Sequence, residues 1–183
     1  LSAVEMYHIL RAGITIPVEE HNEILEQVVE FISKERGEPM DNIRVVVSGS
    51  FCEQPPIGMI KSIEMAGCYI VEDDFMLGSR WIQGPIKDNS NNPLEALTDA
   101  YLNQSTFASC YYDVGNPKGK RVVELAKKRH ADGIIFCAAS FCDPALLDRP
   151  DMQKECDEAG IPHINFQFHE NTGQFKVIKE QAG

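Results

Sequence analysis

Hydrophobic positions along the chain switch between helical and strand-like spacing. Over 19–34, Ile24, Leu25, Val28, Val29, Phe31 and Ile32 recur at helical intervals with Glu and Gln between them, predicting an amphipathic helix. Gly37, Pro39 and Asn42 end it. Residues 43–48 (IRVVVS) are a short β-branched run, the pattern of a buried strand. Pro55-Pro56 opens a helix reaching 66, Gly67 stops it, and residues 68–72 (CYIVE) read as a second strand. Residues 73–92 are less regular and hold the only tryptophan, Trp81. Asn92, Pro93 and Glu95 supply a cap, a first-turn proline and a capping-box acid, so a helix is predicted to 102. Asn116-Pro117 repeats that logic for a helix to 129. Residues 133–138 (GIIFCA) form the third strand. Asp143, read as the cap, and Pro144 start a helix ending at Ala159-Gly160, residues 161–168 (IPHINFQF) form the fourth strand, and Val177 begins a last helix.

Strand-then-helix units in this order predict an α/β domain: an open, mainly parallel four-stranded sheet with helices on both faces. Residues 1–40 are read as an amino-terminal helical segment and 41–183 as the α/β domain. The chain opens on Leu1 with residues that look like the middle of an element, so it is expected to be a piece of a longer protein.

Composition narrows the partners. The formal net charge of −11 argues against nucleic acid and against an anionic membrane surface. No stretch approaches the roughly 20 apolar residues of a membrane span, and the amino end lacks the layout of a signal peptide. Cytoplasmic location is expected. The six cysteines, 52, 68, 110, 137, 142 and 156, then suggest free thiols in a reducing compartment. None are spaced as CxxC, which speaks against a self-contained zinc ribbon or ferredoxin-type cluster.

In an open parallel sheet, ligands bind beyond the carboxyl ends of the strands. That rule selects 48–54, 72–76, 139–143 and 167–170. Cys52 and Cys142 lie there, each just before a proline-initiated helix, where the partial positive charge of the helix start favours thiolate. Cys142 is either a metal ligand or nucleophile, or a small buried residue at a crowded turn; Cys52 has the same two readings. A cysteine-based transferase would need a base, and His169 at a strand end is the one histidine suitably placed. Cys68 and Cys137 fall inside strands and Cys156 inside a helix, as core residues do, whereas Cys110 sits in a polar loop. Lys118, Lys120 and Arg121 at a helix start could meet an anionic group or could form a solvated first turn. Glu72-Asp73-Asp74 could hold a divalent cation or pair with Arg80 in a solvated turn. Ser48-Gly49-Ser50 is too short for a dinucleotide fingerprint.

The order of short motifs is more telling than any one of them. Arg44 to Gly49, Ala66 to Asp74, Gly78-Ser79-Arg80 and Asn92 to Leu97 come first. Ala131 to Ile135, Phe141-Cys142-Asp143-Pro144, Glu158 to Pro162 and Thr172-Gly173-Gln174 follow. This succession resembles the carboxyl-terminal half of subunits shared by 2-hydroxyacyl-CoA dehydratases and benzoyl-CoA reductases. The resemblance implies two Rossmann-like domains with a [4Fe-4S] cluster between them, held by three cysteines. It maps the last of these onto Cys142 and leaves the other two in an amino-terminal domain outside this chain. By itself the chain is then expected to be metal-free and inactive.

The implied reaction is a low-potential, single-electron reduction of a CoA thioester, with electrons delivered by a separate ATP-hydrolysing iron–sulfur activator. A homologous second subunit, the chain's own amino-terminal domain and an acyl- or aroyl-CoA substrate complete the implied partners. Tyr111, Tyr112 and the segment 115–120 lean toward the benzoyl-CoA reductase side, where Tyr111 and Tyr112 could line an aryl pocket. Lys118 and Lys120 could meet the CoA phosphates. The alternatives are a dehydratase subunit and, from another class, a non-catalytic ligand-binding or scaffold domain without metal.

Overall fold

The computed structural model describes residues 1–35, 37, 40–49, 55–74, 82–87, 91–105, 115 and 117–169. Strands β1 (Ile43–Ser48), β2 (Cys68–Asp73), β3 (Gly133–Ala139) and β4 (His163–Phe168) form one sheet in the order β2-β1-β3-β4, with every pairing parallel. Helices α1 (Ala3–Ala12), α2 (Val18–Lys34), α3 (Ile57–Met65), α4 (Pro93–Gln104), α5 (Lys118–Lys128) and α6 (Asp143–Ala159) accompany it. The α/β architecture is the expected one.

Strand side chains alternate between faces, and here both faces are covered. Val45, Val47, Ile135, Cys137, Phe166 and Phe168 pack against Met59, Ile60 and Ile63 of α3 and Tyr7 of α1. On the other side, Val46, Ile134 and Phe136 pack against Val122, Val123 and Ala126 of α5 and Cys156 of α6. Each fully buried aliphatic side chain in these layers contributes about 1.5–3 kcal/mol. Helices α5 and α6 touch closely at Gly119, where a Cβ would lie 2.7 Å from Glu155 Cγ and 3.1 Å from Met152 Cα.

Helix ends follow local chemistry. Asn92 caps α4 as expected, its Oδ1 accepting from the Glu95 N–H at 3.2 Å. Pro117 is the cap residue of α5 and makes no side-chain cap bond, while Asn116 lies outside the described residues. The expected cap of α6 is corrected: Cys142, not Asp143, holds that position. The Cys142 carbonyl accepts the first helical bond, from the Leu146 N–H at 3.1 Å, so Asp143 falls inside the helix. Strand β4 starts at His163, two residues later than expected, because Pro162 has no N–H for the ladder. The last helix expected from Val177 lies outside the described residues.

Helix α1 is an addition to the predicted elements. It carries a capping box in which Ser2 Oγ accepts from the Glu5 N–H at 3.2 Å and Glu5 Oε2 accepts from the Ser2 N–H at 2.8 Å. These bonds from Ser2 hold the Glu5 carboxyl below the usual range. Tyr7 anchors the helix, its hydroxyl donating to the Pro55 carbonyl at 3.0 Å. Helix α2 begins at Val18, one residue before the predicted start, ends at Lys34 as its periodicity predicts, and has no fully buried residue.

Candidate functional site

From β1 the chain moves outward to β2, then returns across the sheet to β3 on the opposite side of β1. The switch point therefore lies between the carboxyl ends of β1 and β3, where open α/β sheets place their ligands.

On the β1 side the edge is closed by Asp74. Ser48 Oγ donates to Asp74 Oδ2 at 3.0 Å, the Gly49 N–H donates to Oδ1 at 2.9 Å, and the Asp74 N–H donates to the Val47 carbonyl at 3.2 Å. One carboxylate thus ties the end of β2 to the end of β1. Glu72 pairs with Arg129 at 2.7 Å, while Arg80, the expected partner, lies outside the described residues. Among the described residues, no group of three or more His, Cys, Asp or Glu side chains is arranged to hold a metal ion.

On the β3 side, residues 139–142 form a tight turn closed by the Cys142 N–H donating to the Ala139 carbonyl at 3.0 Å. The Ser140 N–H donates to the Phe168 carbonyl at 2.8 Å, extending the β3–β4 ladder by one bond. Ser140 Oγ lies 3.3 Å from His169 Nε2. Phe141 has φ +68°, is 91% exposed, and its ring centroid sits 6.4 Å from that of His169. Cys142 follows at the start of α6, partly exposed.

The other described cysteines are closed to chemistry. Cys68, Cys137 and Cys156 are buried. Burial pushes the Cys68 thiol up and takes Cys156 to about 11. Cys137 is pushed well up by burial, and the nearby Asp74 carboxylate adds to it. All three are neutral packing residues, as their strand and helix positions indicate. Of the four described cysteines, only Cys142 combines a sheet-edge position with access to solvent. Its thiol suits one soft metal position, and further ligands would have to come from outside the described residues. Cys52 and Cys110 lie outside them.

The basic helix start packs beside the middle of α6, where a Cβ at Gly119 would meet Glu155 and Met152. Lys118 forms an ion pair with Asp148, whose position on α6 is six residues beyond Cys142 and so about 9 Å along that helix. Lys120 is exposed on the same turn, and Tyr111 and Tyr112 lie outside the described residues. A cleft of about 140 Å³ lies at Lys118 and Asp148, below the roughly 300 Å³ at which small-molecule pockets begin. A larger cleft of about 400 Å³ lies between α1 and the edge strand β2, lined in part by Tyr7, Arg44, Tyr69 and Arg129. No sequence pattern signals it, because it exists only once α1 docks. Nor does sequence single out Ser140 or the backbone of Phe141, since neither residue type marks a left-handed turn.

The family model described as 2-hydroxyglutaryl-CoA dehydratase, D-component, matches residues 1–182. The chain belongs to that family. It is 43% identical over 182 residues to a benzoyl-CoA reductase subunit of Thauera aromatica, covering 99% of this chain and 47% of that protein. It is 32% identical over 157 residues to the (R)-phenyllactyl-CoA dehydratase beta subunit of Clostridium sporogenes, covering 86% of this chain and 41% of that one. It is 28% identical over 169 residues to the beta subunit of (R)-2-hydroxyglutaryl-CoA dehydratase of Acidaminococcus fermentans, covering 91% and 44% respectively. The chain therefore spans just under half the length of these curated relatives. Each is named as a subunit of an enzyme. Among the described residues, no helix is long and apolar enough to cross a membrane.

Proposed function

We propose that this chain is the α/β half of an iron–sulfur subunit of an ATP-dependent benzoyl-CoA reductase, with Cys142 supplying one thiolate to a [4Fe-4S] cluster. In this reading residues 41–183 are the α/β domain and 1–40 an amino-terminal helical segment, whose helix α1 packs on α3. The observation that carries the reading is the 43% identity to a benzoyl-CoA reductase subunit across 99% of the chain. The solvent-accessible position of Cys142 at the sheet edge supports its role. Two further cysteines would come from the other half of the full-length subunit. A bound cluster would supply single electrons at low potential. The chain's own contribution is to hold Cys142 at the start of α6, where the helix dipole favours an anionic ligand, and to keep its other described thiols buried and neutral.

The partners in this reading are the other half of the subunit, a homologous second subunit, an ATP-hydrolysing iron–sulfur activator and an aroyl-CoA, all in the cytoplasm. Lys120, which is exposed, is assigned to the CoA phosphates, whereas Lys118 must first leave Asp148 to join it. Tyr111 and Tyr112 are assigned to the aryl pocket. The test is anaerobic iron–sulfide reconstitution of the full-length subunit with its partner. Cys142→Ala is expected to lose most of the cluster absorbance and bound iron, and full retention would sink the ligand assignment. A parent protein that binds no iron would favour a metal-free scaffold.

A second reading, a 2-hydroxyacyl-CoA dehydratase subunit, is favoured by the 32% identity to the phenyllactyl-CoA dehydratase subunit. Turnover of a 2-hydroxyacyl-CoA but not of benzoyl-CoA by the reconstituted complex would select it.

A further inference from the structure

The turn between β3 and α6 holds a bulky apolar residue in a strained and exposed position. Phe141 adopts φ +68°, a left-handed conformation that disfavours bulky side chains and that glycine normally fills at the third position of such a turn. Strain of this kind is ordinarily offset by packing, yet Phe141 is 91% exposed. A glycine would relieve the backbone and remove an apolar ring from water. An observed outlier of this kind points toward function.

The ring makes an aromatic contact with the end of β4. It lies tilted at 59° over His169, with centroids 6.4 Å apart. His169 in turn has Nε2 3.3 Å from Ser140 Oγ, and Ser140 is fixed to β4 through the Phe168 carbonyl at 2.8 Å. The ends of β3 and β4 thus form a base that supports an aromatic side chain immediately before Cys142. The same turn sets the thiol, because its closing bond is made by the Cys142 N–H.

We propose that Phe141, supported by His169 and Ser140, is a positioning residue for the Cys142 ligand: its ring shields the sulfur and the cluster bound there from water and chelators. The proposal rests on the reading of Cys142 as a cluster ligand. Residues around a metal site typically alter metal retention by about ten- to a hundredfold when removed.

The experiment uses the full-length subunit assembled with its partner subunit and reconstituted anaerobically. Phe141→Gly keeps the left-handed turn and deletes the ring. It is expected to fold with an unchanged or higher thermal midpoint and to take up the parent's iron, but to release that iron to a strong chelator about tenfold faster. Phe141→Trp is expected to restore slow release, and His169→Ala to speed release while leaving Phe141 in place. A purely structural turn would give the opposite pattern, with a changed midpoint and unchanged release. Phe141→Gly releasing iron at the parent's rate overturns the proposal, as does a Phe141→Gly protein that fails to fold. Cys142→Ala separates the two levels. If it keeps the cluster, the ligand reading fails. If it loses the cluster while Phe141→Gly matches the parent, only the shield fails.

Discussion

The contrast among the described cysteines yields a quantitative prediction for thiol chemistry. Cys156 is fully buried and its thiol is pushed up to about 11 by burial, with Asp157 and Glu155 adding. At pH 8 such a thiol is ionised to about 0.1%, against about 9% for a thiol at the ordinary value of 9.0, a ratio of roughly 90. Burial lowers the rate further by blocking the approach of a reagent. Cys142 lies at an accessible sheet edge. The assay is pulsed alkylation of the native chain with iodoacetamide. A second, isotopically distinct reagent is added after unfolding, and each cysteine is read by peptide mass spectrometry. Cys142 is expected to react first and Cys156 at least about a hundredfold more slowly. Low urea should accelerate Cys156 and leave Cys142 unchanged, because the buried thiol reacts only through opening of the fold. Native labelling of Cys156 at a rate close to that of Cys142 would refute the reasoning.

The same thiol predicts a pH dependence of stability. Between pH 9.0 and about 11 the unfolded thiol loses its proton while the folded one keeps it, so the contribution is present below pH 9.0 and lost as pH rises. Two units correspond to about 2–3 kcal/mol, and urea unfolding across this range should show that loss in the parent and a flatter profile in Cys156→Ala. Parallel profiles would count against it. Arg44 clamps the end of α5, with Nε donating to the His130 carbonyl at 2.9 Å and Nη2 to the Arg129 carbonyl at 2.6 Å. Arg44→Ala is expected to cost about 1–2 kcal/mol, discounted for exposure, and to lower Tm by about 2–8 °C. Arg44→Lys should recover less than half, since one ammonium group cannot span both carbonyls; a Tm equal to the parent's in Arg44→Ala would show that the clamp is idle.

Much of the architecture was legible because it depends on local rules. The β-branched runs at 43–48 and 133–138 could be satisfied only by burial on both faces, and both became central strands. Asn92, Pro93 and Glu95 produced the helix start that their chemistry demands. Helix α1 escaped the hydrophobic pattern even though Ser2 and Glu5 form its capping box, because only Tyr7 of its residues is fully buried and the periodicity is correspondingly weak.

For the site, Cys142 was legible as a residue placed just beyond a strand and before a helix, and the order of motifs around it pointed to the family. Its capping role, the ion pair of Lys118 with Asp148 and the support of Phe141 by His169 were not legible. Sequence by itself determined the four strands, helices α2 to α6 and the covering of both faces of the sheet, since periodicity and capping act within a few residues. Only the tertiary structure decided which charges are already paired and which thiols are buried. It also decided which aromatic ring stands strained and exposed beside Cys142. Those outcomes depend on groups tens of residues apart meeting in space: Ser140 reaches His169 only because β3 and β4 lie side by side.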